Sequence, residues 1–159
     1  MKNPLSVLLR VKELREDQAF RAVMIKRRLL VEAVAEEARA QAEVDASSAT
    51  LRAREDAIYA EILRKIVDLG AVETTKGKVL LLEKQHGLLL DARDRAAHVV
   101  RRRGVELEAA VKHHRQCQKN RDKYVIITDE INLAAAELVV FKEEAEVEDT
   151  FSTRRKAAI

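Results

Sequence analysis

The stretch HHRQC, His113 to Cys117, holds the residues best suited to chemistry. On a helix, His113 and Cys117 share a face. Imidazole and thiolate both bind zinc, but a structural zinc site takes four ligands. The sequence has no CxxC and no second histidine cluster to complete one. Nor does Cys117 stand in a recognisable nucleophile signature. The pattern is read instead as Cys117 and His114 filling a helix seam, with His113 in solvent. No metal and no cofactor are expected.

Arg101, Arg102 and Arg103 form the densest basic run. Single-stranded nucleic acid would want aromatic stacking partners beside such a run, and none is near. Over the whole chain, 30 basic residues are nearly balanced by 27 acidic ones. That mixed-sign surface argues against nucleic acid, which selects a one-sided basic face. No GxxxxGK, GxGxxG or HExxH pattern occurs. The expectation is a protein that is not an enzyme.

The elements that carry these residues follow from composition. Of 159 residues, 36% are charged and 3% aromatic, and there is no Trp. A globular domain averages about 25% charged residues and carries more aromatics. An Ala, Glu, Lys, Leu and Arg surplus points to long helices, and the many alanines point to a thin core. No apolar run approaches the ~20 residues that span a bilayer. The opening MKNPLSVLLRVKELRED turns charged too soon for a secretory signal peptide. A single cysteine precludes an intrachain disulfide, so the expected location is cytoplasmic.

No Gly or Pro interrupts Leu5 to Leu69. A first helix is predicted over about 4–69, with Asn3 before Pro4, or Ser6, as its N-cap. Its apolar stripe runs through Val7, Val11, Leu14, Ala22, Ile25, Leu29, Ala33, Ala40, Val44, Leu51, Ile58, Ile62, Ile66 and Leu69. That spacing is nearer an 11-residue repeat than a heptad. Gln18, Glu36, Ser47 and Glu55 fall on the same seam. Within DLGAVETTKGKVL, Gly70 and Gly77 mark a predicted turn over about 70–78. Gly70 would take the left-handed conformation that ends the first helix.

A second helix is predicted over about 79–155, capped by Thr74 or Thr75. Its stripe is a heptad through Leu82, Leu89, Ala96, Val100, Leu107, Ala110, Cys117, Tyr124, Ile131, Ala135, Leu138 and Ala145, with His86, Arg93, Arg103, His114, Arg121, Thr128 and Lys142 in the gaps. YVIITDEINL is β-rich in composition but keeps this phase, so it is read as helix.

The fold class is therefore all-α: a long antiparallel two-helix coiled-coil hairpin forming a single domain. A turn near residue 74 sets residue i opposite about 148 − i. Glu36 and Glu37 would then face Lys112, Glu43 and Asp45 would face Arg103, and Lys12 would lie near Glu137. Residues beyond about Glu144 would have no partner helix, an overhang of some 20 Å at 1.5 Å per residue. The tail EEAEVEDTFSTRRKAAI reads equally as a fraying terminus or as a docking element carrying Phe151. Arg10, Lys12, Arg15, Arg21, Lys26, Arg27 and Arg28 spread over several faces of the first helix. They cannot all pair with one neighbour, which leaves charge for an acidic partner.

The opening PLSVLLRVKELREDQAFRAV, the Ala/Glu/Arg-rich helices, the central corner and the end EEAEVEDTFSTRR together resemble the stalk proteins of bacterial type III secretion, the YscO type related to flagellar FliJ. That resemblance implies a non-catalytic antiparallel hairpin like the shaft of rotary ATPases. It implies three partners: a hexameric secretion ATPase, an export-gate protein and secretion chaperones. Direct membrane insertion is not implied; the protein would sit peripherally at the inner-membrane apparatus. The end carrying both termini would face the ATPase, through Arg10, Lys12, Arg15, Arg21, Phe151, Arg154 and Arg155. The turn end would face the gate, through Val72, Lys76, Leu80 and Leu81. A second reading is a helical-hairpin adaptor or holdase for chaperones or exported subunits, binding near Leu80 and Leu81 without acting on an ATPase.

Overall fold

The computed structural model describes residues 4 to 157, with side chains through Arg155. Asn3, one of the two expected N-caps, lies outside the described residues. The chain forms two helices, α1 (Pro4–Ala60) and α2 (Leu69–Ala157), and no strand among the described residues. They pack antiparallel as a helical hairpin, and YVIITDEINL is helical throughout. The chain divides into two compact units, Val23–Ala110 and Met1–Ala22 with Val111–Ile159.

The reversal lies in the first of these units, at residues 61–68 rather than 70–78. The last winding of α1 tightens through Glu61 N–H to Ile58 C=O and Ile62 N–H to Tyr59 C=O. The left-handed residue is Arg64, with φ of 61°, and no glycine has a positive φ. Gly70 and Gly77 are both helical. The cap of α2 is Asp68, whose Oδ1 accepts from Ala71 N–H at 2.9 Å, the N-cap to N3 geometry. Thr74 and Thr75 are not caps. Their hydroxyls donate to the carbonyls of Gly70 and Ala71, four residues back within α2. A carboxylate one residue before the helix competes better for its free N–H groups than threonines already inside it.

Moving the bend shifts the pairing. Lys26 meets Glu106 at 3.0 Å and Ser47 meets His86 at 2.9 Å, where the expected register would have offered Asp122 and Arg101. The buried apolar residues of this unit are Val23, Ala33, Val44, Val79 and Leu82. Ser47 and Thr75 are buried with them. On α1 the inward positions step through Val23, Lys26, Leu30, Ala33, Glu37, Ala40, Val44, Ser47 and Leu51. These intervals of three and four make a heptad, not the expected 11-residue repeat. The α2 heptad through Leu82, His86, Leu89, Ala96 and Val100 faces inward as its spacing predicts.

The second unit pairs the beginning of α1 with α2 from Val111 onward. Its inward positions on α1 are Leu5, Leu9, Lys12, Glu16 and Ala19, and on α2 His114, Cys117, Arg121, Tyr124 and Thr128. Val7, Val11 and Leu14, expected on the seam, are exposed. Polar pairing across the helices accompanies this phase: Leu5 and Leu9 stay inward, while Val7, Val11 and Leu14 point outward. Every residue from Asp129 to Arg155 is exposed, so α2 loses its partner well before Glu144.

These placements make two substitutions diagnostic. A Cβ at Gly77 would meet nothing within 4 Å, so Gly77→Ala should stabilise the protein by about 0.5–1 kcal/mol. Asp68→Ala should cost about 1 kcal/mol through the lost cap. Urea unfolding followed by circular dichroism measures both; a destabilising Gly77→Ala would restore the glycine to the turn.

Candidate interaction surfaces at the two ends

Within the unit that holds the termini, a carboxylate organises the helix contact. Glu16 accepts from His114 Nε2 at 3.0 Å through one oxygen and from Arg121 at 3.1 Å through the other. Side-chain exposure is only 15% for Glu16 and 16% for His114. Phe20 tilts against the His114 ring with centroids 5.6 Å apart. Lys12 lies 5.1 Å from the centre of the Tyr124 ring, where the π face attracts its ammonium. That contact replaces the expected proximity to Glu137. Thr128, buried at the limit of this contact, donates to Tyr124 C=O at 2.7 Å.

With polar groups inside, the outer surface carries both charge and grease. Arg10, Arg15 and Arg21 are exposed, as are Val7, Leu8, Val11 and Leu14. Lys12 is turned inward and half-buried. Phe151, Arg154 and Arg155 are exposed on α2, some 35 Å or more past Thr128 by the helical rise. The fold does not bring them against the α1 arginines. Between α1 and α2 runs a groove of about 500 Å³, lined by Lys12, Arg15, Ala19, Ala22, Gln116 and Asn120 among others.

His113 and Cys117 do share a face, with Sγ 3.6 Å from Nε2. Among the described residues no group of three or more His, Cys, Asp or Glu is placed to hold a metal ion.

In the unit Val23–Ala110, Glu36, Asp45 and Arg103 find partners on their own helix rather than across it as expected. Arg103 donates to Glu106 of its own helix at 2.9 Å, not to Glu43 or Asp45. Arg39 pairs with Glu36 and Gln41 donates to Asp45, again within one helix. Glu106 also receives Lys26 from across the seam. The Lys26 hydrogen bond, with that of Arg103 next, holds the Glu106 carboxyl below its ordinary 4.5. Near the turn, Lys78 donates to Glu61 at 2.6 Å and lowers that carboxyl in the same way.

Around the turn itself Leu63, Ile66, Val67 and Leu69 are exposed, Ile66 fully so. Of the turn-end residues chosen from sequence, Leu80 and Leu81 are exposed, Val72 is half-buried and Lys76 is exposed, all on α2 and past the reversal. The four apolar residues at the bend were absorbed into a longer predicted α1. A signal for them exists: Asp68 flanked by Val67 and Val72 has the spacing of a capped helix start with a hydrophobic staple.

Both units thus pair their helices through partly polar seams and leave apolar residues exposed. The family described as Type III secretion protein YscO matches residues 5–153. The crystal structure of the type III secretion protein YscO from Vibrio parahaemolyticus is similar in fold, with a TM-score of 0.87, 21% identity and 91% of each chain covered. No curated protein sequence matches the chain. The chain belongs to the YscO family, and its role lies in the type III secretion apparatus. No described helix is long and apolar enough to cross a membrane.

Two variants probe the seam. Glu16→Ala strips His114 and Arg121 of their acceptor and should cost about 2 kcal/mol, read by thermal or urea unfolding. The lowered Glu106 carboxyl contributes stability above about pH 4.5, and that contribution is lost as pH falls through its native value. Glu106→Gln should therefore flatten the acid side of a stability–pH profile and leave its neutral side sloped as before.

Proposed function

We propose that this protein is the non-catalytic stalk of a type III secretion system, coupling a hexameric secretion ATPase to the export gate. Membership in the YscO family supports the setting. The observation that carries the reading is the inverted terminal end: Glu16, His114 and Arg121 face inward, while Arg10, Arg15, Arg21, Val7, Val11 and Leu14 face out. A hairpin that meant to stand alone would place its apolar residues in the seam. Exposed arginines interleaved with aliphatic residues suit a partner contacted repeatedly, since charged contacts at a wet surface exchange at small cost. Phe151, Arg154 and Arg155 extend the same ATPase-facing surface along α2. The turn end, with Leu63, Ile66, Val67 and Leu69 now ahead of Val72, Lys76, Leu80 and Leu81, would meet the gate.

The fully exposed Ile66 and its neighbours also favour a second reading, an adaptor or holdase that holds secretion chaperones or exported subunits at the tip. The two roles separate by experiment. As a stalk, the protein should raise ATP hydrolysis by the cognate ATPase at one chain per ring. Arg10→Glu with Arg15→Glu should abolish the rise, while Ile66→Ser with Leu69→Ser should leave it intact. Hydrolysis that does not respond to the wild-type protein would overturn the stalk role. Chaperone capture lost only in the tip variant would establish the adaptor role.

A further inference from the structure

Beyond Thr128, α2 continues for about 40 Å of helical rise with no partner. Leu133, Val140 and Val147 recur every seven residues along it, with Phe151 one turn further, and all four are exposed. Glu137, Glu144 and Glu148 form a row beside this stripe. In water, a helix with so much exposed apolar surface draws its stability from whatever packs on that face.

The same unit contains a groove in a part of opposite net charge. Residues 4–22 and 111–128, the paired part, carry nine basic and four acidic residues, net +5. Residues 129–155, the unpaired part, carry three basic and eight acidic, net −5. The groove between the paired helices has small residues at Ala19 and Ala22 and positive charge at Lys12 and Arg15. Val11 lies one turn before Arg15 on that side, and Ile127 continues the row of Gln116 and Asn120; both are exposed. Two parallel ridges with a small-residue floor are the seat for a third helix.

We infer that this groove receives the unpaired acidic helix of a second copy of the chain, each copy seating its helix in the other. The contact is two-fold, so one patch on each molecule serves both halves. Salt weakens it because charge of opposite sign supplies much of the attraction. This inference rests on the charge and apolar pattern alone and does not depend on the stalk role.

Sedimentation equilibrium of the full chain tests it. Wild type should be a dimer at low salt, with association about tenfold or more weaker at high salt. Glu137→Lys, Glu144→Lys and Glu148→Lys combined should give a monomer, and so should Arg15→Glu with Lys123→Glu, Lys123 lying exposed on α2 one turn before Ile127. Mixed in equal amounts, these two variants should form a heterodimer, because each then offers the other a complementary pair of surfaces. Circular dichroism should show that both variants keep their helices. A wild-type chain that stays monomeric at low salt at every concentration overturns the inference, and it does so even if another secretion component captures the acidic helix. A dimer that survives either set of reversals, or variants that fail to associate on mixing, overturns it as well.

Discussion

In each unit two helix segments share a seam, and among the described residues no third element covers it. A third layer would let large side chains be enclosed, but here no large side chain is fully buried among the described residues. The buried apolar set is Ala19, Val23, Ala33, Val44, Val79 and Leu82, mostly small. Small residues in a narrow contact contribute little transfer free energy each, so the choice of register falls to groups with direction. Ser47 with His86, and Glu16 with His114 and Arg121, fit only one alignment. Among the described residues no buried side-chain polar atom lacks a hydrogen-bond partner. Polar seam positions fix alignment at some cost in stability, as a buried polar residue does in other coiled coils.

The same constraint explains the surplus of apolar surface. In the terminal unit the inward positions go to Lys12, Glu16, His114 and Arg121, and the heptad phase turns Val7, Val11 and Leu14 to solvent. In the unit Val23–Ala110, the chain reverses before its run of apolar residues is spent, leaving Leu63, Ile66 and Leu69 outside. Family membership gives these surfaces a setting, an apparatus whose parts meet by protein contacts.

Much of this was legible in the sequence. Composition alone implied long helices, and the α2 heptad was readable because its apolar residues recur at seven even where His86, Arg93 and Arg121 interrupt. The first 28 residues of α1 misled, because apolar spacing and burial part company there. The strongest stripe, Val7, Val11, Leu14, belongs to the outer face, while the seam runs through Lys12 and Glu16, whose partners lie some hundred residues away in sequence. Nothing local marks a lysine as the one that will rest on Tyr124. The bend was misplaced for a related reason. Glycine is the usual reporter of a reversal, but here an arginine adopts the left-handed backbone and an aspartate caps the helix that follows. The terminal end was singled out by its charge and the turn end by the family resemblance, whereas what each exposes depended on phase.

All four glycines fall in α2, at positions 70, 77, 87 and 104, and α1 has none. A helical residue without a side chain gives up little packing when its dihedrals drift, and it has more of them within reach. Elastic compliance in this hairpin is therefore unevenly divided. Load applied along each helix would strain α1 almost uniformly, while in α2 the deflection would gather at Gly77, Gly87 and Gly104, where even an added Cβ would meet nothing within 4 Å. One leg acts as the stiff member and the other as the spring.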